Sequence, residues 1–387
     1  MTSSGRDWEF GEFGILFRGL RSFMRIVLNT DEIPFDVVTT RFGEFRAKAR
    51  SRKLANAFRD VRHYLEICFP ENEWRSPDID LFVKCFLSFV PIQRCVNIDP
   101  SEYQIGYGLE GQIFNDFVAY IREEAKRRGV KKAMRDWLYG ATTLQQGNIK
   151  AYLRTMPNCT TKLMLVRADL LYRANAVSPD GVMRRLSVGG FREAMREERL
   201  RRRRKGKKKR RGKENRARFD VVRAMQHRTD FLENRDGKDK EFFKHLIGYV
   251  WKVAQSEKGL LHHHVLFIFD AQCVQSDFRL LELAGQRWND ITNGAGFLHS
   301  THFKKKELME KGAWYYGKVS CHDAEALERA FIDASGYFTE ERQLLCFKPL
   351  PHSQTLTKGL PHKPRVGGPG RPRKCAARAS DDGVPEG

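Results

Sequence analysis

The chain has 387 residues, enough for two domains, and 41% of them are apolar, which excludes a wholly disordered protein. The formal net charge is +22, so the chain attracts polyanions such as DNA, RNA or an anionic membrane surface. Its apolar runs are far shorter than the ~20 residues that a membrane-spanning helix needs. The eight cysteines form no CxxC pair, which argues against a zinc ribbon and favours reduced thiols in a cytoplasmic protein.

The residue pattern over positions 1–150 predicts a mostly helical N-terminal region, and the sequence does not reveal its role. Residues 45–58 are rich in Ala, Arg and Lys, and residues 109–138 carry apolar positions at helical spacing. Residues 81–87 fit either a strand or a buried helix.

From residue 155 the pattern alternates between strands and helices, which predicts an α+β domain over residues 155–350. Strands are expected at Lys162–Tyr172 and at residues 261–269. Helices are expected at residues 241–255, 277–291 and 324–334. Residues 351–387 are rich in Pro, Gly, Lys and Arg and predict a disordered tail.

A dense basic segment, residues 196–218, interrupts this domain with fifteen basic residues against three glutamates. Like charges this close together repel one another and cannot pack in a core, so the segment is expected to be an exposed, disordered insertion. Its phosphate contacts would release counterions and make binding salt-dependent. A solvated insertion without a specific role is the alternative. The residues expected to contact nucleic acid are Arg201, Arg202, Arg203, Arg204, Lys207, Lys208, Lys209, Arg210 and Arg211.

Three consecutive histidines open the strand predicted at residues 261–269. Side chains at i and i+2 share one face of a strand, so His262 and His264 should point the same way and His263 the opposite way. Two imidazoles on one face suit a divalent ion with open coordination positions. A polar strand end with partly exposed histidines is the alternative.

A tyrosine hydroxyl can act as the nucleophile in phosphodiester strand transfer, provided that a metal or a base assists it. The tyrosines after the histidines are Tyr315, Tyr316 and Tyr337, and an ordinary core role is the alternative for each.

Several runs of the chain resemble, in order and spacing, the inovirus gene-two-type replication proteins and their cryptic-prophage relatives. They are 240–252 (KEFFKHLIGYVWK), 257–270 (EKGLLHHHVLFIFD), 285–288 (GQRW), 316–319 (YGKV) and 336–343 (GYFTEERQ). The resemblance covers about residues 220–350, with Lys162–Tyr172 as a plausible first strand.

This resemblance implies a rolling-circle replication initiator of the HUH type, with a five-stranded antiparallel sheet flanked by helices. It implies that His262 and His264 bind Mg²⁺ or Mn²⁺ on a central strand and that Tyr337 is the nucleophile on a following helix. A third ligand often precedes the histidine strand, and Gln255 and Glu257 both lie in that region. The implied partners are single-stranded or hairpin origin DNA and host replication proteins, in the cytoplasm of a bacterium that carries the phage or prophage.

Two positions depart from the family pattern. His263 stands where an apolar residue is usual, which predicts weaker burial of the opposite strand face. Glu340 stands where the family has a lysine three residues after the tyrosine, and a carboxylate there would repel the scissile phosphate.

Near the C-terminus, residues 368–374 (GPGRPRK) resemble an AT-hook, in which Arg371 and Arg373 would enter a narrow A·T minor groove. A basic Pro/Gly tail without this role is the alternative.

Three hypotheses follow. The first is a metal-dependent tyrosine endonuclease that nicks single-stranded DNA, forms a 5′-phosphotyrosine and starts rolling-circle replication. The second is a non-catalytic DNA-binding regulator or degenerate initiator, which Glu340 favours. The third is a basic RNA-binding protein, for which the histidines would be immaterial.

Overall fold

The computed structural model describes residues 10–68, 74–172, 221–233, 237, 239–256, 261–341, 344–348 and 353–363. Within them the chain is an α+β protein with an open antiparallel sheet. None of the helices in these ranges is both long and apolar enough to cross a membrane. The basic segment, and Arg371 and Arg373 of the tail, lie outside the described residues.

The N-terminal half packs helices around a core rich in phenylalanine. Phe23, Phe58, Phe82, Phe114 and Phe117 are almost fully buried and form edge-on and stacked ring pairs. The helices are α1 (Phe10–Asn29), α2 (Arg52–Glu66), α3 (Pro77–Ser88), α4 (Val90–Arg94), α5 (Glu110–Arg127), α6 (Val130–Tyr139) and α7 (Gln145–Leu153). Short strands lie between them: β1 (Phe35–Thr39), β2 (Phe45–Ala49), β3 (Trp74–Arg75), β4 (Tyr103–Gln104) and β5 (Gly108–Leu109).

Two sequence-based expectations in this half are resolved by the structure. Residues 81–87, which fit either element, lie within the helix Pro77–Ser88. The helical expectation for residues 45–58 is wrong at its start, because Phe45–Ala49 is a strand that pairs with Phe35–Thr39. The alternation of Phe45, Ala47 and Ala49 with Arg46 and Lys48 has the period of two that a strand requires.

The second half is built on an antiparallel sheet with the order β10-β6-β8-β7-β12, in which β9 also pairs with β6. Its strands are β6 (Lys162–Tyr172), β7 (Leu246–Gln255), β8 (Leu261–Asp270), β9 (Gly296–His299), β10 (Gly317–Ser320) and β12 (Leu356–Lys358). The expectation was five strands, and the described part of the chain places six in this sheet. Both β9 and β10 pair with the same edge of β6, one after the other.

Helices cover both faces of this sheet. On one face, buried residues of α8 (Val221–Leu232), α9 (Lys240–Phe243) and α10 (Asp277–Ile291) pack in one cluster with β6, β7 and β8. On the other, α7 and α12 (Ala324–Phe338) form a second cluster with the same strands. A short helix, α11 (Lys305–Glu310), precedes β10.

The helix expected at residues 241–255 is wrong. Only Lys240–Phe243 is helical, and Leu246–Gln255 is the strand β7. The apolar stripe that suggested a helix arises because β7 is covered on both faces, so buried side chains follow one another without alternation.

The prediction that the chain is disordered from residue 351 onward is wrong at its start, because Leu356–Lys358 is an edge strand of the sheet. It pairs with Val250–Lys252 of β7, and the carbonyl of Thr355 accepts a hydrogen bond of 2.8 Å from Val253 N. The open edge of β7 therefore gains a partner for its backbone groups.

Candidate functional site

His262 and His264 lie on β8 and share one face of the sheet, as their spacing predicted. Their Nε2 atoms are 3.1 Å apart, and the residues are only 8% and 4% exposed. The alternative of partly exposed histidines at a polar strand end is therefore wrong. The face that they occupy is the one covered by α12, because Leu266 and Ile268, further along the same face, pack in the α12 cluster.

Tyr337 lies in the last turn of α12. The helix was expected to end at residue 334 and runs instead to Phe338. Its buried stripe of Ala330, Phe331, Ala334 and Phe338 fixes its rotation on the sheet. Tyr337 Oη consequently lies 2.5 Å from Nδ1 of His264.

The two other candidate tyrosines have different surroundings. Tyr315 is half-buried beside an open groove, and the Tyr316 hydroxyl donates a 2.5 Å hydrogen bond to Asp333. Among the three, Tyr337 is the tyrosine whose hydroxyl contacts the histidine pair.

Asp169 on β6 completes the contacts around Tyr337, although no sequence motif pointed to it. Its Oδ1 accepts hydrogen bonds from the Tyr337 hydroxyl and, over 2.7 Å, from His264 Nδ1. His299 on β9 approaches the other carboxylate oxygen at 3.4 Å. Burial alone would raise the pKa of Asp169, but the hydrogen bonds from His264 and His299 outweigh it and hold this pKa well below its usual range.

The Tyr337 hydroxyl is held in its neutral form. Burial raises the pKa of Tyr337 well above its ordinary value, and the Asp169 carboxylate adds to this effect. The Arg167 guanidinium acts in the opposite direction, with its Cζ 3.5 Å from the centre of the Tyr337 ring. The phenol therefore needs a base and nearby positive charge before it can act as a nucleophile.

A row of polar residues crosses the sheet beneath the end of α12. The strand register places His299, Asp169, His264 and Lys252 side by side on β9, β6, β8 and β7. Lys252 is 2% exposed, and burial lowers its pKa to about 8, with a further contribution from Lys348. Its Nζ donates a hydrogen bond of 2.5 Å to the Phe338 carbonyl, which the helix end leaves without an intrahelical donor.

His263 points to the opposite face and is completely buried. The expectation that it weakens burial there is wrong, because both ring nitrogens are hydrogen-bonded. Trp251 Nε1 donates to His263 Nδ1 over 2.9 Å, and His263 Nε2 lies 2.9 Å from the Tyr172 hydroxyl. Burial, followed by the neighbouring His262, lowers the pKa of His263 well below its ordinary value, so the ring is neutral.

His262 Nε2 and His264 Nε2 lie at hydrogen-bonding distance, and this distance is also close to the separation of two ligands that bind one octahedral ion. Two nitrogens that bind one ion at about 2.1 Å each and at a right angle lie about 3 Å apart. Their observed Nε2 separation is 3.1 Å. The hydrogen bond from His264 Nδ1 to Asp169 leaves Nε2 as the nitrogen with a lone pair, in the carboxylate–histidine arrangement that supports metal ligands. No group of three or more His, Cys, Asp or Glu in the described ranges is arranged to hold an ion, so the fit rests on this pair.

Gln255, one of the two expected third ligands, does not complete this pair. The strand register pairs Gln255 with Leu261, which puts its side chain on the face opposite His262 and His264. Its Oε1 accepts a hydrogen bond of 3.3 Å from Cys346 N. Glu257 lies outside the described residues. Glu340 follows the end of α12 and is exposed.

Sequence reasoning missed Arg167, Asp169 and Lys252. The available signal was the position of Arg167 and Asp169 at i and i+2 within the otherwise apolar strand Lys162–Tyr172, which places two charges on one strand face. Lys252 gave no such signal, because its burial depends on β12 and α12.

No known protein family, curated protein or solved structure matches this chain.

Proposed function

We propose that the protein is a DNA-binding replication enzyme that nicks single-stranded DNA through Tyr337 with the help of a divalent ion. The observation that carries the proposal is the convergence of three groups at one point. The Tyr337 hydroxyl contacts His264 and Asp169, and His264 faces His262 through its other ring nitrogen. A nucleophile, an acceptor for its proton and a two-histidine ion site lie together on one face of the sheet.

In the proposed reaction the phenol proton leaves through its hydrogen bond to Asp169 Oδ1 and passes on to solvent, since a carboxyl group with so low a pKa does not retain it. Tyr337 Oη then bonds to the phosphorus, and the bond from phosphorus to the 3′ oxygen breaks. The leaving 3′ oxygen takes a proton from solvent and becomes a hydroxyl that can prime synthesis. The fragment on the 3′ side of the nick remains joined to the enzyme through its 5′ phosphate, as a 5′-phosphotyrosine, and the reverse reaction religates the strand.

His262 and His264 would hold Mg²⁺ or Mn²⁺, which would supply positive charge against the phosphate oxygens. His264 would be oriented for this by its hydrogen bond to Asp169. Arg167 lies against Tyr337 and adds a fixed positive charge that favours the phenolate.

The DNA partner is supported by charge. The net charge of +22 is concentrated in residues 196–218, where fifteen basic residues face three glutamates. Such a segment would bind the phosphate backbone without reading sequence, and binding would weaken steeply with salt. A bacterial cytoplasm, with origin DNA and host replication proteins as partners, follows from the resemblance to the inovirus proteins.

The proposal is tested by incubating the full chain with labelled single-stranded DNA and Mg²⁺ or Mn²⁺. We expect a covalent protein–DNA adduct and a fragment with a free 3′ hydroxyl. Tyr337→Phe should abolish the adduct and leave DNA binding intact. His264→Ala should abolish the adduct at every metal concentration. A chain that binds DNA but forms no adduct with either ion would overturn the enzymatic proposal.

A non-catalytic DNA-binding protein is the second candidate, and the burial of the site favours it. His262 and His264 are 8% and 4% exposed, so a DNA strand reaches them only after α12 or a neighbouring element moves. DNA binding that persists in a chelator, without cleavage under any metal, would identify this second function.

A further inference from the structure

The edge of β6 has a gap between its two partner strands, and Arg167 lies in this gap. β10 pairs with residues 162–165 and β9 with residues 169–172. Two side chains bond the Arg167 backbone instead. Its N–H donates to His302 Nε2 over 3.3 Å, and its carbonyl accepts from Ser300 Oγ over 2.5 Å. The Asp277 carboxylate, 2.9 Å from His302 Nδ1, holds that imidazole in place, so the Arg167 backbone is fixed on this edge of β6 although neither β9 nor β10 pairs with it there.

The Arg167 side chain lies on the same sheet face as Asp169 and under the Tyr337 ring. Its Nε–H is buried and has no hydrogen-bond partner among the described residues. A buried donor without a partner is uncommon in folded proteins, and a ligand oxygen placed here would satisfy it. Burial opposes the charge of Arg167, but Tyr337, Tyr316 and Asp169 outweigh it and raise the pKa of this guanidinium, so it stays charged.

An open groove of about 680 Å³ is connected to the surroundings of Arg167 through Tyr316, although Arg167 itself does not line it. Its lining combines aromatic rings with cations, the pairing that binds single-stranded nucleic acid through base stacking and phosphate contact, and it also contains the carboxylates of Asp277 and Asp323. The residues that form this pattern are Trp314, Tyr315, Tyr316, Lys305, Lys318 and Arg329. Tyr316 belongs both to the groove wall and to the surroundings of Arg167, whose Cζ is 5.7 Å from its ring centre.

We propose that Arg167 binds the non-bridging oxygens of one phosphodiester of a single strand whose neighbouring nucleotide lies in this groove. The arginine fork matches two phosphate oxygens, and Nε is one of its paired donors. The inovirus family pattern has a lysine at the position of Glu340. In this proposal Arg167 on β6 supplies the positive charge that such a lysine would provide. This assignment rests on the proposed function, and it specifies the part of the substrate that reaches Tyr337.

The test is a binding measurement, so that it stays separate from the nicking reaction. The full chain carrying Tyr337→Phe, in a chelator, is titrated with single-stranded oligonucleotides that each carry one uncharged methylphosphonate. With Arg167 present, we expect about tenfold weaker binding when the methylphosphonate occupies one particular position. With Arg167→Ala, that position should become insensitive. Arg167→Lys keeps the charge without the fork and should show an intermediate loss at the same position.

The matched control is Arg154→Ala, since Arg154 is an exposed arginine that is ion-paired with Glu328. This variant should keep the full loss at the sensitive position. If Arg167→Ala retains that loss, or if no position is sensitive in the presence of Arg167, Arg167 only packs against Tyr337 and the assignment is overturned. A failed nicking assay with a positive result here would overturn the enzymatic proposal and leave the phosphate contact standing.

Discussion

At the scale of single residues, the sheet core contains a series of hydrogen-bonded side chains. Trp251 determines which atom donates and which accepts in each of these bonds. An indole N–H can only donate, so His263 Nδ1 must accept from Trp251 and His263 Nε2 must carry the proton. That proton is donated to the Tyr172 hydroxyl, whose own hydrogen then points to His227 Nδ1 at 3.1 Å. His263 is therefore a satisfied core residue, whereas His262 and His264, its neighbours in sequence, face the candidate site.

His263→Leu should destabilise the protein by about 2–4 kcal/mol, because Trp251 Nε1 and the Tyr172 hydroxyl would both lose a buried partner. The measurement is chemical denaturation followed by circular dichroism. His322→Leu, at an exposed histidine, is the control and should change stability by less than about 0.5 kcal/mol. Equal effects of the two substitutions would contradict the proposed series of hydrogen bonds.

The sequence predicted a strand for His262 and His264, and the family resemblance implied a following helix for Tyr337; the structure has these residues on β8 and α12. Their mutual contact could be expected because strand period and a family resemblance both pointed to it. Asp169 and Arg167 could not be assigned in the same way, since their roles depend on the register of β6 against β8. That register pairs Asp169 with His264 and is set by long-range packing rather than by local sequence.

At the scale of secondary structure, α12 positions the candidate nucleophile. The Asp323 side chain accepts a hydrogen bond from Ala326 N at its start, and Lys252 donates to the Phe338 carbonyl at its end. Gly336 lies in the last turn, directly before Tyr337. Glycine lowers helix stability, so this turn is the weakest part of the element that carries the hydroxyl.

Gly336→Ala should stabilise the protein by about 0.5–1 kcal/mol, because alanine favours the helix and a Cβ at this position meets no atom within 4 Å. Thermal unfolding measures the effect. Gly296→Ala offers the contrast, since a Cβ there would lie 2.5 Å from the Trp288 ring, and it should be destabilising. A loss of stability from Gly336→Ala would show that the last turn of α12 is not helical in solution.

The strand β7 shows why some elements could not be predicted. Its residues Val250–Gln255 are buried without alternation, so the period of two that identifies a strand is absent. Burial on both faces requires α8 and α10 on one side and α12 on the other, and these helices are distant in sequence. β12 was missed for a related reason, since three residues become a strand only when an edge is available to pair with them.

At the scale of the whole molecule, the N-terminal half anchors the chain just after α12. Cys346 and Phe347 are buried in the phenylalanine-rich core of the N-terminal half. The strand β11 (Phe347–Lys348) pairs with β3, and the Cys346 carbonyl accepts a hydrogen bond of 2.9 Å from Ser76 N. The position of α12 on the sheet is thus coupled to residues 1–150, for which the sequence alone offered no role.

Buried tyrosines give the whole molecule a characteristic response to alkali. Burial raises the pKa of five of them, with the value for Tyr152 at about 12, and the five are Tyr64, Tyr152, Tyr172, Tyr316 and Tyr337. Above pH ~10 the unfolded chain releases these protons while the folded chain keeps them. Their contribution to stability is complete below pH ~10 and is lost as the pH rises through the folded values.

We therefore expect tyrosinate absorbance at 295 nm to rise cooperatively, at the pH where circular dichroism reports unfolding. The denaturant midpoint measured between pH ~9 and ~11 should fall steeply over the same range. If all of the tyrosinate absorbance develops near pH 10 while the helical signal is retained, the five side chains are not buried as described.

The central claim is that Tyr337, among the tyrosines of this chain, bonds to DNA. Its most direct test is to incubate the protein with single-stranded DNA and Mn²⁺, digest the adduct with nuclease and protease, and sequence the modified peptide by mass spectrometry. We expect one nucleotide-bearing peptide, with the phosphate on Tyr337 and none in the Tyr337→Phe protein. A phosphate on Tyr315 or Tyr316, or an adduct that survives Tyr337→Phe, would contradict this claim.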